Sequence, residues 1–415
     1  MTGHLITVGD EILLGQIVDT NAAWLGEQLA AVGVDLRRSE TVGDGVDEIA
    51  SAIEGGYAGG ASVVIVTGGL GPTHDDVTRA AVAQAFGRDL EFDQRLFDRI
   101  EARYSSRGRT MPAIGRVMAE VPAGFEALEN PKGSAPGLWC EAQGRIIAVM
   151  PGVPHEMKTI SEHAVLPRLV ERQDEVVLSR TLLTVGKGES DLSAMIAETA
   201  EHLPDGLRLA YLPSLGTVRI RVTARGADHG DARADLEAAI CAIRDTLGTL
   251  VFGEGQLALE GAVLEMLVDN GLTVAVAESC SGGAVAARLT SVPGSSRAFL
   301  GGVVAYSNAA KVGLLGVEES ALEDEGAVSE AVALQLAAGA RSQFGADVGL
   351  ATTGIAGPGG GTPNKPVGTV WLAYDDGSTS RAVRLQLTSD REVNIALTAT
   401  AALDMVRRQV LRRGR

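Results

Sequence analysis

Ala277-Glu278-Ser279-Cys280-Ser281-Gly282-Gly283 is the stretch on which the fold of this chain turns. Before it stands Leu272-Thr273-Val274-Ala275-Val276, an apolar run that reads as a buried strand. After it, Ala284-Val285-Ala286-Ala287-Arg288-Leu289 reads as the first turns of a helix. A strand that ends in hydroxyls and glycines and then feeds a helix lifts one side chain to the carboxyl edge of a sheet, where α/β proteins bind ligands. It also aims free backbone N–H groups at the same place. Downstream come Ala305-Tyr306-Ser307-Asn308-Ala309-Ala310-Lys311 and Thr353-Gly354-Ile355-Ala356-Gly357-Pro358. Ser279, Tyr306 and Lys311 are therefore expected on strand ends around a glycine-lined hollow, the serine as nucleophile and the lysine as its base. The plainer account keeps Ser279 as a helix cap and Tyr306 and Lys311 as surface groups with buried stems. Successive residues at a strand end point to opposite faces, so Cys280 is expected to turn toward packing.

Four stretches, Glu278 to Gly283, Tyr306 to Asn308 with Lys311, Thr353 to Pro358 and Val367-Gly368-Thr369-Val370-Trp371, together resemble the C-terminal domain of the CinA (competence/damage-inducible) family. The resemblance implies a nicotinamide-nucleotide amidase that hydrolyses NMN to nicotinic acid mononucleotide and ammonia and needs no cofactor. It implies Ser279, Tyr306 and Lys311 as catalytic residues. It also implies substrate contacts from Glu278, Ser281, Gly282, Gly283, Asn308, Thr353, Gly354 and Arg391. Ser281 stands where relatives usually carry Thr. Asn394 stands where many carry Arg, which leaves the phosphate contact to Arg391.

The 415 residues exceed one ordinary domain, and 45% hydrophobic content suffices for packed cores. A net charge of −17 argues against general binding to nucleic-acid phosphates. Cys140, Cys241 and Cys280 are too few and too scattered for a disulfide framework or a zinc site. No signal pattern and no apolar run of membrane-spanning length occurs. The expectation is a soluble cytoplasmic protein with no nucleic-acid or membrane partner, assembling as a homodimer.

In the N-terminal half, Leu5-Ile6-Thr7-Val8 reads as a strand, and Asp19-Thr20-Asn21 offers caps for a helix carrying Trp24, Leu25, Leu29 and Val32. Ser62 to Thr67 is a second buried strand. It opens into Gly68-Gly69-Leu70-Gly71-Pro72-Thr73-His74-Asp75-Asp76, with a helix from Val77 to Phe86. Alternating strands and helices imply a parallel, doubly wound sheet, with the glycine loop where such a sheet binds phosphates. Asp75 and Asp76 are placed either to hold a divalent cation against a pyrophosphate or only to cap the helix.

Gly9 to Leu13, Asp19 to Asn21, Thr67 to Asp76, Gly133 to Gly137 and Met150 to Lys158 resemble the CinA N-terminal domain, which is similar to molybdopterin-binding domains. The resemblance implies hydrolysis of ADP-ribose with a divalent metal (Mg, Co or Mn) at Asp75 and Asp76. The implied nucleotide contacts are Gly9, Asp10, Glu11, Thr67, Gly68, Gly69, Gly71, Ser134, Gly152 and Glu156. Met118 stands where relatives often carry Gln. The alternatives are a nucleotide- or pterin-binding module without turnover, and a competence or DNA-repair accessory, which the negative charge opposes.

Between the halves, the order β-α-β-β-α-β suggests a small split-βαβ domain without a nucleic-acid-binding GXXG clamp. Glu189 opens a helix there, either as a first-turn carboxylate or as a group reaching the N-terminal pocket. Gly253-Glu254-Gly255-Gln256 reads as a linker. The expected architecture is α/β throughout: a doubly wound molybdopterin-binding-like domain over 1–172, a small α+β domain over 173–254 and an α/β amidase domain over 255–415.

Overall fold

The computed structural model describes residues 1–173, 176–226 and 228–413. The chain divides into two compact units, Met1–Leu178 with Arg225–Ala232, and Ser179–Ala224 with Arg233–Arg415.

The first unit is built on a six-stranded sheet of β1 (Thr2–Val8), β2 (Asp35–Val42), β3 (Val63–Thr67), β4 (Glu126–Leu128), β5 (Gly137–Ala142) and β6 (Arg145–Met150), in the order β2-β1-β3-β6-β5-β4. Strands β2, β1, β3 and β6 are parallel, as expected. Strands β5 and β4 are antiparallel, which makes the sheet mixed rather than parallel throughout. The cause is local. Gln143 and Gly144 both take positive φ, 56° and 74°, and join β5 to β6 by a two-residue hairpin whose twist matches that of the strands.

Alternate residues of β3 feed two cores. Val63 and Ile65 pack with Leu25 and Leu29 of helix α1 (Thr20–Ala31). Val64 and Val66 pack with Ile49 and Ile53 of α2 (Val46–Ala58) and with Val82 of α3 (Thr78–Ala85). A central parallel strand covered on both faces reads as an unbroken apolar run, which is why it was plain in the sequence. Asp19 caps α1 by accepting from Ala22 N at 2.8 Å.

The small sheet falls mostly in the second unit. It holds β7 (Val176–Val185), β8 (Leu207–Ser214), β9 (Thr217–Gly226) and β10 (Val251–Glu254) in the order β8-β9-β7-β10, with helices α4 (Glu189–Met195) and α5 (His229–Leu247). The expected linker is not free chain. Gly253 and Glu254 complete β10, and the Glu254 carboxylate is paired with Arg180 and Arg244.

The larger sheet holds β11 (Val274–Glu278), β12 (Phe299–Val304), β13 (Val348–Gly354), β14 (Thr369–Asp375) and β15 (Ser380–Gln386), in the order β12-β11-β13-β14-β15. The first three strands are parallel and the last two antiparallel. Its helices are α6 (Leu259–Asp269), α7 (Ala284–Thr290), α8 (Asn308–Leu315), α9 (Glu330–Phe344) and α10 (Arg391–Arg413). Val274 and Val276 face Leu264, Leu267 and Val406, while Ala275 and Ala277 face Val332, Leu336 and Ala340. The small sheet is welded to this one. Val185 belongs to the same core as Leu259 and Leu403, and the buried Arg407 donates to Thr249 O at 2.7 Å. Among the described residues no helix is long and apolar enough to cross a membrane.

Both large sheets place a topological switch point beside their first parallel strand, between β1 and β3 and between β11 and β13. Ligands of open α/β sheets enter at such points, past the carboxyl ends of the strands.

Candidate functional site

Ser279 leaves β11 directly, its N–H still donating to Thr352 O of β13 at 2.9 Å. It is 9% exposed, and its hydroxyl has no hydrogen-bond partner among the described residues. Cys280 turns the other way, into the core with Val285 and Leu350, and burial pushes its thiol up to about 12.

Glu278 and Ser281 were expected to touch substrate. Their side chains instead build the turn. Glu278 Oε2 accepts from Ser281 Oγ at 2.7 Å and from the N–H groups of Gly283 and Val285 at 3.0 Å each; Oε1 accepts from Ala286 N at 2.8 Å. A buried carboxylate thus satisfies the open N–H groups of α7 and lies at the positive end of its dipole. Gly282 and Gly283 take φ of 64° and 100°, a region that other residues avoid, and this bends the chain back over the carboxylate. Glu278→Ala is predicted to strand these donors and to lower the unfolding free energy by at least ~3 kcal/mol, read from urea denaturation. An unchanged midpoint would show that the turn holds without it.

Lys311 lies on α8, one turn beyond the Ser307 cap, rather than on a strand end. It is 1% exposed, and its Nζ donates to Ala305 O at 2.9 Å and Tyr306 O at 3.3 Å. No carboxylate pairs with it among the described residues. Burial holds its pKa below the ordinary lysine value. Glu278 pairs with Val304, so the Ala305 carbonyl that holds Lys311 lies level with Ser279 across the β11–β12 pair. A neutral amine has two N–H groups and one lone pair. Two carbonyls take the N–H groups and leave the lone pair free.

Tyr306 is exposed, and its hydroxyl accepts from Arg391 Nη2 at 3.0 Å, while Arg391 Nη1 donates to Gly357 O at 2.9 Å. Arg391 opens α10, and Asn308 lies exposed at the start of α8. The Thr353 hydroxyl points away and donates to Ala327 O at 2.6 Å, so only its backbone and that of Gly354 remain for a ligand. Asn394 is fully buried. Its amide donates to Ala356 O and Thr388 O, pinning the 354–358 loop rather than facing solution. Ser279, Lys311, Tyr306 and Arg391 are thus the polar groups that the ends of β11, β12 and β13 leave at one edge.

In the first unit, a cleft of ≈ 760 Å³ opens at the other switch point. Gly9, Glu11, Thr67, Gly68, Gly69, Gly71, Asp75, Asp76, Ser134, Gly152 and Glu156 all line it. Asp10 does not. It exchanges hydrogen bonds with Asp44, giving N–H to Asp44 Oδ2 at 3.1 Å and accepting from Asp44 N at 3.3 Å. The glycines at 68 and 69 are required, since a Cβ would lie 2.2 Å from Val8 O or 2.3 Å from Thr78 Oγ1. Asp76 Oδ2 accepts from the N–H and hydroxyl of Thr73 at 2.8 and 2.5 Å. The carboxyl of the exposed Asp75 is held below its ordinary range by hydrogen bonding within the loop. Glu156 accepts from Asn130 Nδ2 at 2.6 Å.

Three residues of this cleft escaped the sequence reading. Arg79 is buried behind the glycine loop and donates to Leu70 O and Gly71 O at 2.5 and 2.8 Å. Asn21 donates to Gly152 O at 2.7 Å and keeps its Oδ1 buried without a partner. Asp44 has its carboxyl pushed up, first by burial and also by the charges of Asp10, Glu11 and Asp75. Asn21 was read only among the capping residues 19–21, and nothing in the sequence singled out Asp44. A lone Arg in a helical pattern gives no sign that it will be buried.

Residues 256–410 match the family described as CinA C-terminal domain, 4–171 a probable molybdopterin binding domain, and 179–253 the damage-inducible protein CinA KH domain. A CinA-like protein of Salinibacter ruber is 47% identical over 411 residues, covering 98% of this chain and 99% of its own. The chain belongs to the CinA family. A CinA-like protein of Gemmatimonas aurantiaca is 43% identical, covering 99% of this chain and 96% of its own. The crystal structure of a CinA protein from Thermoplasma acidophilum is 37% identical, covers 40% of this chain and 97% of its own, and superposes with a TM-score of 0.38. The CinA C-terminal match holds Ser279, Lys311, Tyr306 and Arg391, and the molybdopterin-binding match holds every residue of the N-terminal cleft named above.

Proposed function

We propose that the CinA C-terminal domain is a nicotinamide-nucleotide amidase. The observation that carries the reading is the Ser279 hydroxyl at a sheet switch point, one strand away from a buried lysine with two carbonyl acceptors; among the described residues the hydroxyl has no hydrogen-bond partner and the lysine no counter-ion. In this reading Ser279 Oγ attacks the carboxamide carbon of NMN, and its proton passes to the Lys311 lone pair. Backbone N–H groups of the 280–283 turn or of Thr353-Gly354 receive the oxyanion. Lys311 returns the proton to the leaving NH₂, and ammonia departs. Water then cleaves the acyl-serine to give the acid. Arg391, braced by Gly357 O and Tyr306 OH, supplies positive charge for the substrate phosphate. The test is incubation with NMN, with and without chelator. Equimolar ammonia and nicotinic acid mononucleotide under both conditions support the reading, and an absence of ammonia sinks it.

The N-terminal cleft supports a second reading, a metal-dependent ADP-ribose pyrophosphatase. Its glycine loop offers backbone N–H groups, and its mouth gathers the carboxylates of Glu11, Asp44, Asp75 and Asp76. Among the described residues no three His, Cys, Asp or Glu side chains converge on one point. Asp75 and Asp76 fit a cation that takes its remaining ligands from water and substrate phosphates, as Mg²⁺ does. When bound, such a cation neutralises pyrophosphate charge. Asp76→Ala is expected to abolish release of AMP from ADP-ribose and to spare NMN turnover. Full ADP-ribose hydrolysis in that variant would remove Asp76 from the metal site.

A further inference from the structure

A second cleft of ≈ 730 Å³ lies in the second unit, away from the Ser279 edge. Leu372 of β14, Val383 and Leu385 of β15, Leu387 just past that strand, and Leu397 and Met405 of α10 form an apolar lining. The alternation of β15 contributes to it, since Arg381, Val383 and Leu385 share one face of that strand. The turn Gly186–Glu189 and the hairpin tip Ser214–Gly216 provide the remaining walls.

Three polar features give the cleft a preference. Gln409 lines it, is 9% exposed and has no hydrogen-bond partner among the described residues. That amide faces the cleft opening, so a ligand group can take up its donor and acceptor without displacing a protein hydrogen bond. Arg381 and Arg412 line it as exposed guanidiniums with no ion pair among the described residues. The other cations are committed, Lys187 to Asp191 and Arg408 to Asp404. Of the carboxylates, Glu189 alone is uncommitted among the described residues. Two free positive charges against one negative favour a single negative charge on the occupant.

We infer that this cleft is a binding site for a small amphipathic monoanion, an organic acid whose apolar body fills the leucine-lined floor while its head meets Arg381 and Arg412. The volume is that of a site for a drug-sized molecule. It is not the substrate site described above. None of Ser279, Tyr306, Lys311 and Arg391 lines it.

The full-length chain is titrated with 8-anilinonaphthalene-1-sulfonate, whose fluorescence reports entry of an apolar body bearing one negative charge. Saturable one-to-one binding is expected. Displacement by 1-naphthoate or by decanoate then tells a ring-shaped body from a chain. Arg381→Glu and Leu385→Asp should each raise Kd by about tenfold or more, and the uncharged N-phenyl-1-naphthylamine should bind about tenfold more weakly than the sulfonate. Arg381 is exposed, so its variant tests the site even if Leu385→Asp folds poorly. Unchanged affinity in Arg381→Glu, equal binding of the neutral amine, or displacement by neither acid would overturn the assignment. A drop in solution mass for Leu385→Asp with dye binding intact would also overturn it, marking this face as a contact between copies of the chain.

Discussion

Ser279→Ala is predicted to lower NMN deamidation by roughly 10³-fold or more, the scale on which deletion of a nucleophile acts. Cys280→Ala should keep most of the activity. On chemistry alone the order would be reversed, because a thiol at the start of a helix is ordinarily the better nucleophile. Geometry decides against it. The Cys280 thiol is packed against Val285 and Leu350, and burial raises it to about 12, so almost none is thiolate near neutrality. Ser279 is the residue whose hydroxyl is free at the sheet edge. Iodoacetamide should therefore inhibit poorly. A dead Cys280→Ala with an active Ser279→Ala would recast the domain as a cysteine amidase.

The parts of this molecule that could be read beforehand are those fixed by local pattern. The buried strands β3 and β11 are apolar runs, and the helix capped by Asp19 begins where a capping residue precedes an apolar period. Strand β12 was missed because Gly301 and Gly302 interrupt its apolar pattern; a Cβ at Gly301 would lie 2.4 Å from Phe344. Strand β5 runs antiparallel to β6 through a Gln-Gly turn that lacks the Asn-Gly or Asp-Gly signature of such hairpins. The glycine loop of the N-terminal cleft was legible, but the arginine that supports it from behind was not. Charge in a side chain argues for the surface, and only the tertiary fold supplies the carbonyls of Leu70 and Gly71.

Within the C-terminal site the same division holds. Spacing marked Glu278 and Ser281 as belonging to the turn and could not tell a carboxylate that meets substrate from one that meets helix N–H groups. Both uses place an acid beside glycines at the start of a helix. The depth of Lys311 was equally hidden, since a lysine one turn into a helix is normally solvated.

That depth gives the last prediction. Lys311→Met should cost about 10²-fold to 10⁴-fold in kcat, the range that a positioned general base supplies. It should leave the fold as stable as before or more so, because a desolvated cation without a counter-ion is replaced by an apolar chain of similar length. The pH dependence carries a sign. The folded pKa of Lys311 lies below its unfolded value, so the native state favours the neutral amine. Below the folded pKa the lysine is charged in both states and its burial penalty is fully present. As pH rises from there toward the unfolded pKa near 10.5, native Lys311 loses its proton first and stability increases. Wild type should gain stability relative to Lys311→Met across that interval, and its kcat should rise with pH along a limb lying below the ordinary lysine range. Urea midpoints for both proteins across that interval, with kcat measured in parallel, test the two claims separately. A variant that loses activity and stability together would make Lys311 a structural support of the 305–306 turn. One that keeps its activity would remove the lysine from the reaction.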